Sequence, residues 1–352
     1  MPPKLAAVHS RPGVALYEVA KLHLREAIAG GLFQPGQRLP STQELAKQLS
    51  VSLVTMHRAL KELEEAGVLR RVQGNGTFVT EGGAGTLQKL RVSLAVQNTA
   101  SFADYYHNRI LEGITSAARE SGVEVIIVPL NETPPQRCDG HLLLNPTAAQ
   151  AERFLARAGS KPSIAIGAQL TNMGWIDIDN NDMVIRAINH LYMLGHRHIG
   201  FVGGDDETSN SRDRYKAFAD HCAKWPEITP CPLKTESWQL TEKEVPKLQE
   251  ILQRKRRPTA IIAGGYYLAL EIYRVAASAR LAIPTDLSLV GVDDPPSAGY
   301  LSPPLTTLRQ PLSLTGQTAL LRLREMVQNP GLRLRLVFQA ELIARGSTAR
   351  LS

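Results

Sequence analysis

The chain has 352 residues, 43% of them hydrophobic and 21% charged, which is the balance of a soluble globular protein and excludes a fibrous or largely disordered one. No run of about eighteen apolar residues occurs, and the N-terminus lacks the continuous apolar segment of an export signal, so we expect a cytoplasmic protein without a membrane segment. Cys138, Cys222 and Cys231 lack the spacing of a metal site or a disulfide framework, so we expect reduced thiols, no metal and no cofactor.

The net charge of +7 favours a polyanionic partner, and its distribution points to the N-terminal part of the chain. Residues 1–80 hold ten Lys or Arg and six Asp or Glu, a net charge of +4. More than half of the excess positive charge therefore lies in less than a quarter of the chain, where we expect a nucleic-acid-binding surface.

Short-range signals near the N-terminus predict three helices followed by a hairpin. Apolar residues recur at helical spacing over residues 17–28 and stop at two glycines. Ser41 and Glu44 are spaced as a capping box for a second helix, and Ser52 is placed to cap a third. The stretch 74–76, Gly-Asn-Gly, lies between two β-prone runs and predicts a tight turn. Three helices and a hairpin make a winged helix.

The chain changes character after residue 80, so we expect the winged helix-turn-helix domain (α+β) to occupy residues 1–80. Residues 81–89, EGGAGTLQK, are Gly-rich and lack apolar periodicity, which predicts a flexible linker. Residues 90–347 alternate strand-like and helical stretches, which predicts an α/β domain of parallel sheets, large enough for two lobes. The strand-like runs are VSLAV, VEVIIV, HLLLN, SIAIGA, IGFVGG, TAIIAGG and LSLVGVD, and the helical stretches include HNRILEGITSAARES, MVIRAINHLYML and YLALEIYRVAASA.

The N-terminal motifs PGQRLPS, ELA, RAL and GNGTFV stand at the spacing of the GntR family of winged-helix transcription regulators, which residues 14–80 closely resemble. The resemblance implies that the third helix enters the major groove of double-stranded DNA, while the hairpin touches the backbone or the minor groove. The expected DNA-binding residues are Ser41, Gln43, Ser52, Val54, Thr55, His57, Arg58, Arg71, Gln73 and Asn75, with Arg70 beside the hairpin.

Three positions depart from the usual pattern of that family, because Gln43, Leu53 and His57 stand where many members carry arginine. An arginine can bond guanine with two hydrogen bonds, whereas leucine offers only apolar contact and histidine one weaker hydrogen bond. The operator should therefore differ from the common family pattern.

The second half of the third helix is acidic, with Glu62, Glu64 and Glu65 close together. These carboxylates would repel phosphates if the whole helix lay flat on the duplex. We therefore expect only the first two turns to enter the groove, N-terminus first, where backbone amides also favour contact with phosphate.

The C-terminal motifs RYKAF, PTAIIAGGYYLALEIYRVA, IPTDLSLVGVDD, PPLTTLRQP and RGST resemble the effector-binding domain of LacI-family repressors over residues 90–347. That domain shares the two-lobed fold of type I periplasmic sugar-binding proteins, and with a GntR-type head it gives the arrangement of the arabinose-type repressors. The resemblance implies a small-molecule effector in the crevice between the lobes. The expected effector-binding residues are Phe102, Tyr105, Arg214, Trp238, Tyr266 and Asp293.

Five of these six residues have an expected role. Arg214 of RYKAF and Asp293 of VGVDD would be polar anchors, since a guanidinium and a carboxylate can each bond two neighbouring hydroxyls of a polyol. Trp238 would offer a ring to the apolar face of the ligand, and Phe102 and Tyr105 would line the crevice from the loop after the first strand. The simpler alternatives are a surface salt bridge for Arg214, a turn cap for Asp293 and core packing for Trp238.

The resemblance breaks at Gly265-Tyr266, where family members usually carry Asn-Asp and the asparagine bonds the ligand. One polar contact is lost and a phenol is gained, and Ala217 replaces the usual glycine after RYK. We expect a sugar or a sugar derivative as effector, and the alternatives are a nucleoside or a phosphorylated metabolite.

Together these patterns predict a homodimeric repressor that binds a pseudo-palindromic operator and is released by its effector. An enzyme is disfavoured, because the chain lacks G-x-G-x-x-G, a P-loop and a nucleophile elbow, and none of its nine histidines has metal spacing. Asp293 and Asp294, as neighbours on an extended segment, would point to opposite sides and could not flank one bond. An exported binding protein would need a signal and no DNA-binding head. We therefore assign no catalytic residue.

Overall fold

The computed structural model describes residue 5 and residues 16–80, 90–97, 103–205, 208–329 and 331–351. The chain divides into two compact units, Met1–Leu90 and Arg91–Ser352. The predicted linker, residues 81–89, lies outside the described residues. None of the described helices has the length and apolar character needed to cross a bilayer.

The first unit contains the helices and the hairpin that the sequence predicts. In chain order they are α1 (Leu16–Ala29), α2 (Thr42–Leu49), α3 (Leu53–Glu65), β1 (Leu69–Val72) and β2 (Gly76–Val79). The capping box is confirmed, because the Ser41 hydroxyl accepts the Glu44 N–H and the Glu44 carboxylate accepts the Ser41 N–H. The predicted cap of α3 is also present, with the Ser52 hydroxyl accepting the Thr55 N–H at 3.1 Å.

The hairpin β1–β2, called the wing from here on, is antiparallel and closes one side of the first unit. Leu69 pairs with Val79 and Val72 pairs with Gly76. Gly74 and Gly76 have φ values of 75° and 113°, in the left-handed region that favours glycine. The helices and the wing share one core, which includes the buried residues Leu24, Phe33, Leu45, Leu49, Met56, Leu63 and Leu69.

The second unit alternates strands and helices, as the sequence predicts. It contains β3 (Arg91–Val96), α4 (Tyr105–Ser121), β4 (Glu124–Pro129), β5 (Gly140–Leu144), α5 (Ala148–Ala158), β6 (Ser163–Ile166), β7 (Gly174–Ile178), α6 (Asn180–Met193), β8 (His198–Val202), α7 (Ser209–Lys224), β9 (Thr229–Leu233), α8 (Glu244–Gln253), β10 (Ala260–Ala263), α9 (Tyr266–Ser278), β11 (Ser288–Val292), β12 (Thr306–Arg309), α10 (Leu312–Gln328), β13 (Arg335–Phe338) and β14 (Glu341–Ile343). All seven predicted strands are present, as β3, β4, β5, β6, β8, β10 and β11.

Two six-stranded sheets divide the second unit into two lobes. The N-lobe sheet has the order β13-β7-β6-β5-β3-β4, and the C-lobe sheet has the order β14-β12-β11-β10-β8-β9. Neighbouring strands are parallel except for β12 and β14. The chain passes between the lobes three times, after β7, after β12 and after β13. The carboxyl ends of the parallel strands in both lobes thus meet at one crevice, where open α/β sheets bind their ligands.

Candidate DNA-binding surface and effector site

The predicted DNA-binding residues lie at the N-terminal ends of α2 and α3 and on the wing. At the start of α3, Leu53 is 45% exposed and Val54 is 79% exposed. Thr55 is half-buried, and the other predicted residues, Ser41, Gln43, Ser52, Val54, His57, Arg58, Arg71, Gln73 and Asn75, are exposed. All of them are therefore accessible, at least in part, to a partner.

Arg58 is exposed, but its guanidinium is held against the protein. Its Cζ lies 3.6 Å from the centroid of the Tyr17 ring, in a cation–π contact, and its Nε lies 3.4 Å from the Glu62 carboxylate. Glu62 also accepts a hydrogen bond from the Lys21 ammonium at 2.5 Å, which is the main reason that the pKa of Glu62 is lowered. An approaching phosphate would have to compete with Tyr17 and Glu62 for Arg58. The sequence did not indicate these two contacts of Arg58.

Arg38 lies against the wing, and the prediction from the sequence did not include it. Residue 38 forms an antiparallel bridge with Phe78, and a Cβ added to Gly76 would lie 2.7 Å from the Arg38 Nε. The glycine therefore makes room for the arginine side chain on the wing. Arg38 is the arginine of the motif PGQRLPS, which indicated the family resemblance but not a contact between this arginine and the wing.

In the second unit, a cavity of about 50 Å³ lies between the lobes and brings together four of the six predicted effector-binding residues: Arg214, Trp238, Tyr266 and Asp293. Tyr106, His107 and Asn145 line it from the N-lobe.

Arg214 is 3% exposed, so the alternative of a surface salt bridge is wrong. Its Nε donates a hydrogen bond to the Asn180 Oδ1 at 2.8 Å, and its Nη1 donates one to the Gly264 carbonyl at 2.7 Å. Burial lowers the pKa of Arg214, while Asp293 opposes that shift. The guanidinium is thus fixed at the cavity wall by two protein acceptors, and Asp293 lines the same cavity.

Asp293 follows β11 with a φ of 68°, so its backbone is left-handed and not extended as the sequence suggested. Its Oδ1 accepts a hydrogen bond from the Gln310 Nε2 at 2.6 Å. Burial of the carboxyl raises the pKa of Asp293 to about 6, although Arg214 lowers it. Asp294 faces other partners, the guanidinium groups of Arg309 and Arg345 at 2.7 and 2.8 Å. The two neighbouring carboxylates do point apart, as predicted.

Trp238 occupies the space beside Gly265. A Cβ added to Gly265 would lie 3.0 Å from the Trp238 Cε3, and the Arg214 Cζ lies 5.3 Å from the centroid of the tryptophan ring. The buried Glu244 carboxylate holds the loop that carries Trp238, because it accepts the Glu236 N–H at 2.8 Å and the Thr241 N–H at 2.8 Å. The departure from Asn to Gly at residue 265 therefore has a packing reason.

Two of the predicted effector-binding residues do not join this group. Tyr105 begins α4, so placing it in a loop was wrong, and it lines a second cavity of about 610 Å³ with Arg109, Arg309 and Arg345. Phe102 lies outside the described residues. Gln310, which was not predicted, also lines the first cavity and is 6% exposed. Gln310 is the glutamine of TTLRQP, a motif of the family resemblance that could have indicated this residue.

Substitution of Asp293 by Asn should make the stability of the second unit less sensitive to pH. The native carboxyl holds its proton up to about pH 6, above its usual pKa, so its contribution to the free energy of unfolding falls as the pH rises from about 4 through 6. Each pKa unit corresponds to about 1.4 kcal/mol, so the variant should gain at most about 3 kcal/mol over the original protein at pH 8 and nothing at pH 4. Urea unfolding at both pH values measures this. A constant difference between the two proteins would show that the carboxyl is not desolvated. Burial also raises the pKa of Asp177 to about 6, but this carboxyl is present in the original protein and in the variant, so its titration does not affect the comparison.

Among the described residues, no group of three or more His, Cys, Asp or Glu side chains is arranged to hold a metal ion.

Residues 16–79 match the family described as bacterial regulatory proteins, gntR family, and residues 188–348 match the family described as periplasmic binding protein-like domain. The two matches fall in different units of the structure.

Similar proteins of known function are transcription regulators. The arabinose metabolism transcriptional repressor of Geobacillus stearothermophilus is 27% identical, over 95% of this chain and 98% of its own. The HTH-type transcriptional repressor CytR of Escherichia coli K12 is 26% identical, over 86% of this chain and 89% of its own. The lac repressor dimer bound to operator and the anti-inducer ONPF shares the fold with a TM-score of 0.66 at 22% identity, over 74% of this chain and 95% of its own. The chain is a transcription regulator that joins a DNA-binding domain of the gntR family to a periplasmic binding protein-like domain.

Proposed function

We propose that the chain is a homodimeric repressor that leaves a pseudo-palindromic operator when a sugar or a sugar derivative binds between the lobes. Residues 1–80 would form the DNA-binding head and residues 90–347 the effector-binding and dimerisation domain, acting in the cytoplasm. The observation that carries the proposal is that Asp293 and the buried Arg214 line the same cavity between two lobes. Both groups can bond vicinal hydroxyls, and each is already oriented by a protein hydrogen bond.

A nucleoside is the second candidate, because Trp238, Tyr266 and Tyr267 line the same cavity and aromatic rings can stack on a base. A nucleoside also offers vicinal hydroxyls to Arg214 and Asp293. A phosphorylated metabolite fits less well, since the carboxyls of Asp104 and Asp293 both line the cavity and would repel a phosphate.

Effector binding would act by linkage between the two sites. If closure of the lobes changes the geometry of the dimer, then the operator and the effector weaken each other's binding by the same factor, typically about 1–3 kcal/mol of coupling. The reciprocity is a direct check, because the operator must lower effector affinity as much as the effector lowers operator affinity.

The test combines operator selection with an effector screen. The full-length protein is used to select binding sites from random duplex DNA, and pentoses, hexoses and nucleosides are then screened by thermal shift, since a specific ligand stabilises the folded state. We expect a two-fold symmetric site and at least one compound that both raises the melting temperature and releases the DNA. A selection without an enriched motif, or turnover of any of these compounds, would contradict the proposal.

A further inference from the structure

The first turn of α3 presents apolar side chains to its surroundings. Leu53 is 45% exposed and Val54 is 79% exposed. The neighbouring hydroxyls are engaged in the helix cap, because the Ser52 Oγ lies 2.7 Å from the Thr55 Oγ1 and also accepts the Thr55 N–H. The outermost groups at the tip of the helix are therefore two branched hydrocarbon side chains and not hydrogen-bonding groups.

The charges of α3 do not suit it for holding phosphates. The helix has two cations and three carboxylates. Arg58 lies beside Glu62, and Lys61 lies 3.7 Å from Glu65, so both cations have an acidic neighbour one turn later. With His57 neutral, the net charge of α3 is −1.

Other exposed cations lie before α2, on α2 and on the wing. They are Arg38 before α2, Lys47 on α2, and Arg70 and Arg71 on the wing. The backbone N–H of Arg71 donates a hydrogen bond to the Glu64 carboxylate at 3.2 Å, which joins the wing to the acidic end of α3. The positive surface that attracts DNA is therefore separate from the tip of the helix that enters the groove.

We propose that α3 reads the operator through thymine methyl groups that pack against Leu53 and Val54, while the wing arginines Arg70 and Arg71 hold the phosphates. Thymine is the base that presents a methyl group in the major groove, and an aliphatic side chain can recognise that group without a hydrogen bond. Burying one methyl group corresponds to about a fourfold gain in affinity. This inference rests on the proposed operator binding and specifies which base that binding selects.

The test removes single methyl groups from the DNA. In the operator selected with the full-length protein, each thymidine is replaced in turn by deoxyuridine, which lacks only the 5-methyl group. We expect at least one position in each half-site where this replacement weakens binding about fourfold. In Val54→Ala or Leu53→Ala the same replacement should change affinity less than twofold, because the contact is already lost.

A salt series separates reading from phosphate contact. A dimer carries two copies of Arg71, so Arg71→Ala should lower the slope of log affinity against log salt concentration by about 1.8, which is about 0.9 for each lost phosphate contact. Val54→Ala should leave the slope unchanged. Leu32→Ala is the matched apolar control, since Leu32 is 41% exposed in the same unit but follows α1, and it should keep the deoxyuridine effect. Thermal unfolding checks that each variant is folded.

The outcomes distinguish this inference from the proposed function. Thymine recognition would be excluded if the selection enriches a motif but no deoxyuridine replacement weakens binding. It would also be excluded if the deoxyuridine effect persists in both alanine variants. Either result would leave operator binding intact. A selection that enriches no motif would overturn operator binding and thymine reading together.

Discussion

Replacing Arg214 with alanine should abolish release of the operator by the effector, while operator binding itself remains. Arg214 lies in α7 of the second unit, and it lines the same cavity as Asp293. The substitution removes the donor to the effector and leaves the Asn180 amide oxygen and the Gly264 carbonyl without their hydrogen bonds. It also removes a positive charge that lowers the pKa of Asp293, and we expect the free energy of unfolding of this unit to fall by about 3 kcal/mol.

Operator affinity, effector-induced release and thermal unfolding are measured together, and Arg212→Ala is the matched control. Arg212 lies on the same helix but is exposed and pairs with its neighbour Asp213, so its loss should change none of the three quantities appreciably. Normal release by the Arg214 variant would exclude Arg214 from effector binding. Loss of both release and operator binding would show that its role is structural.

Local signals predicted the first unit because its elements depend on neighbouring residues. The capping box joins Ser41 and Glu44, three residues apart, and the wing turn needs glycine at positions 74 and 76, which are two residues apart. Such patterns are readable in a single sequence. The predicted bounds of the winged helix follow from them directly.

The proposed effector site was predicted less completely, because its contacts span long stretches of chain. Arg214 bonds Asn180, 34 residues earlier, and Gly264, 50 residues later, and no local pattern announces either pair. Tyr105 lines a neighbouring cavity for a geometric reason. Successive side chains on a helix point about 100° apart, so Tyr106 lines the cavity of Arg214 while Tyr105 lines its neighbour.

Two helices begin near the proposed effector cavity, and they pack against each other within the N-lobe. The side chain of Asp104 caps α4 by accepting the Tyr106 N–H at 3.1 Å, and Asp104 also lines the cavity. The helix α10 begins directly after Gln310, whose amide bonds Asp293. We therefore expect a movement of the lobes around a ligand to act on the start of both helices.

The contact between α4 and α10 depends on two glycines, and Gly113→Ala should destabilise the second unit strongly. In an isolated helix alanine is more stable than glycine by about 1 kcal/mol. Here a Cβ on Gly113 would lie 1.9 Å from the Ser313 carbonyl oxygen, and a Cβ on Gly316 would lie 2.1 Å from the Ile110 carbonyl oxygen. Both obstacles are backbone atoms of the facing helix, so α4 and α10 must separate. We expect overpacking to exceed the gain in helix propensity and to lower the free energy of unfolding by about 3 kcal/mol.

Tryptophan fluorescence during urea unfolding measures this effect in the second unit alone, since all three tryptophans, Trp175, Trp225 and Trp238, lie there. The control is Gly299→Ala, because a Cβ at Gly299 meets no atom within 4 Å and should leave the unfolding midpoint nearly unchanged. The double variant at residues 113 and 316 should lose less stability than the sum of the two single variants, because the first methyl group already separates the helices. A midpoint for Gly113→Ala equal to or above that of the original protein would contradict the close packing of α4 against α10.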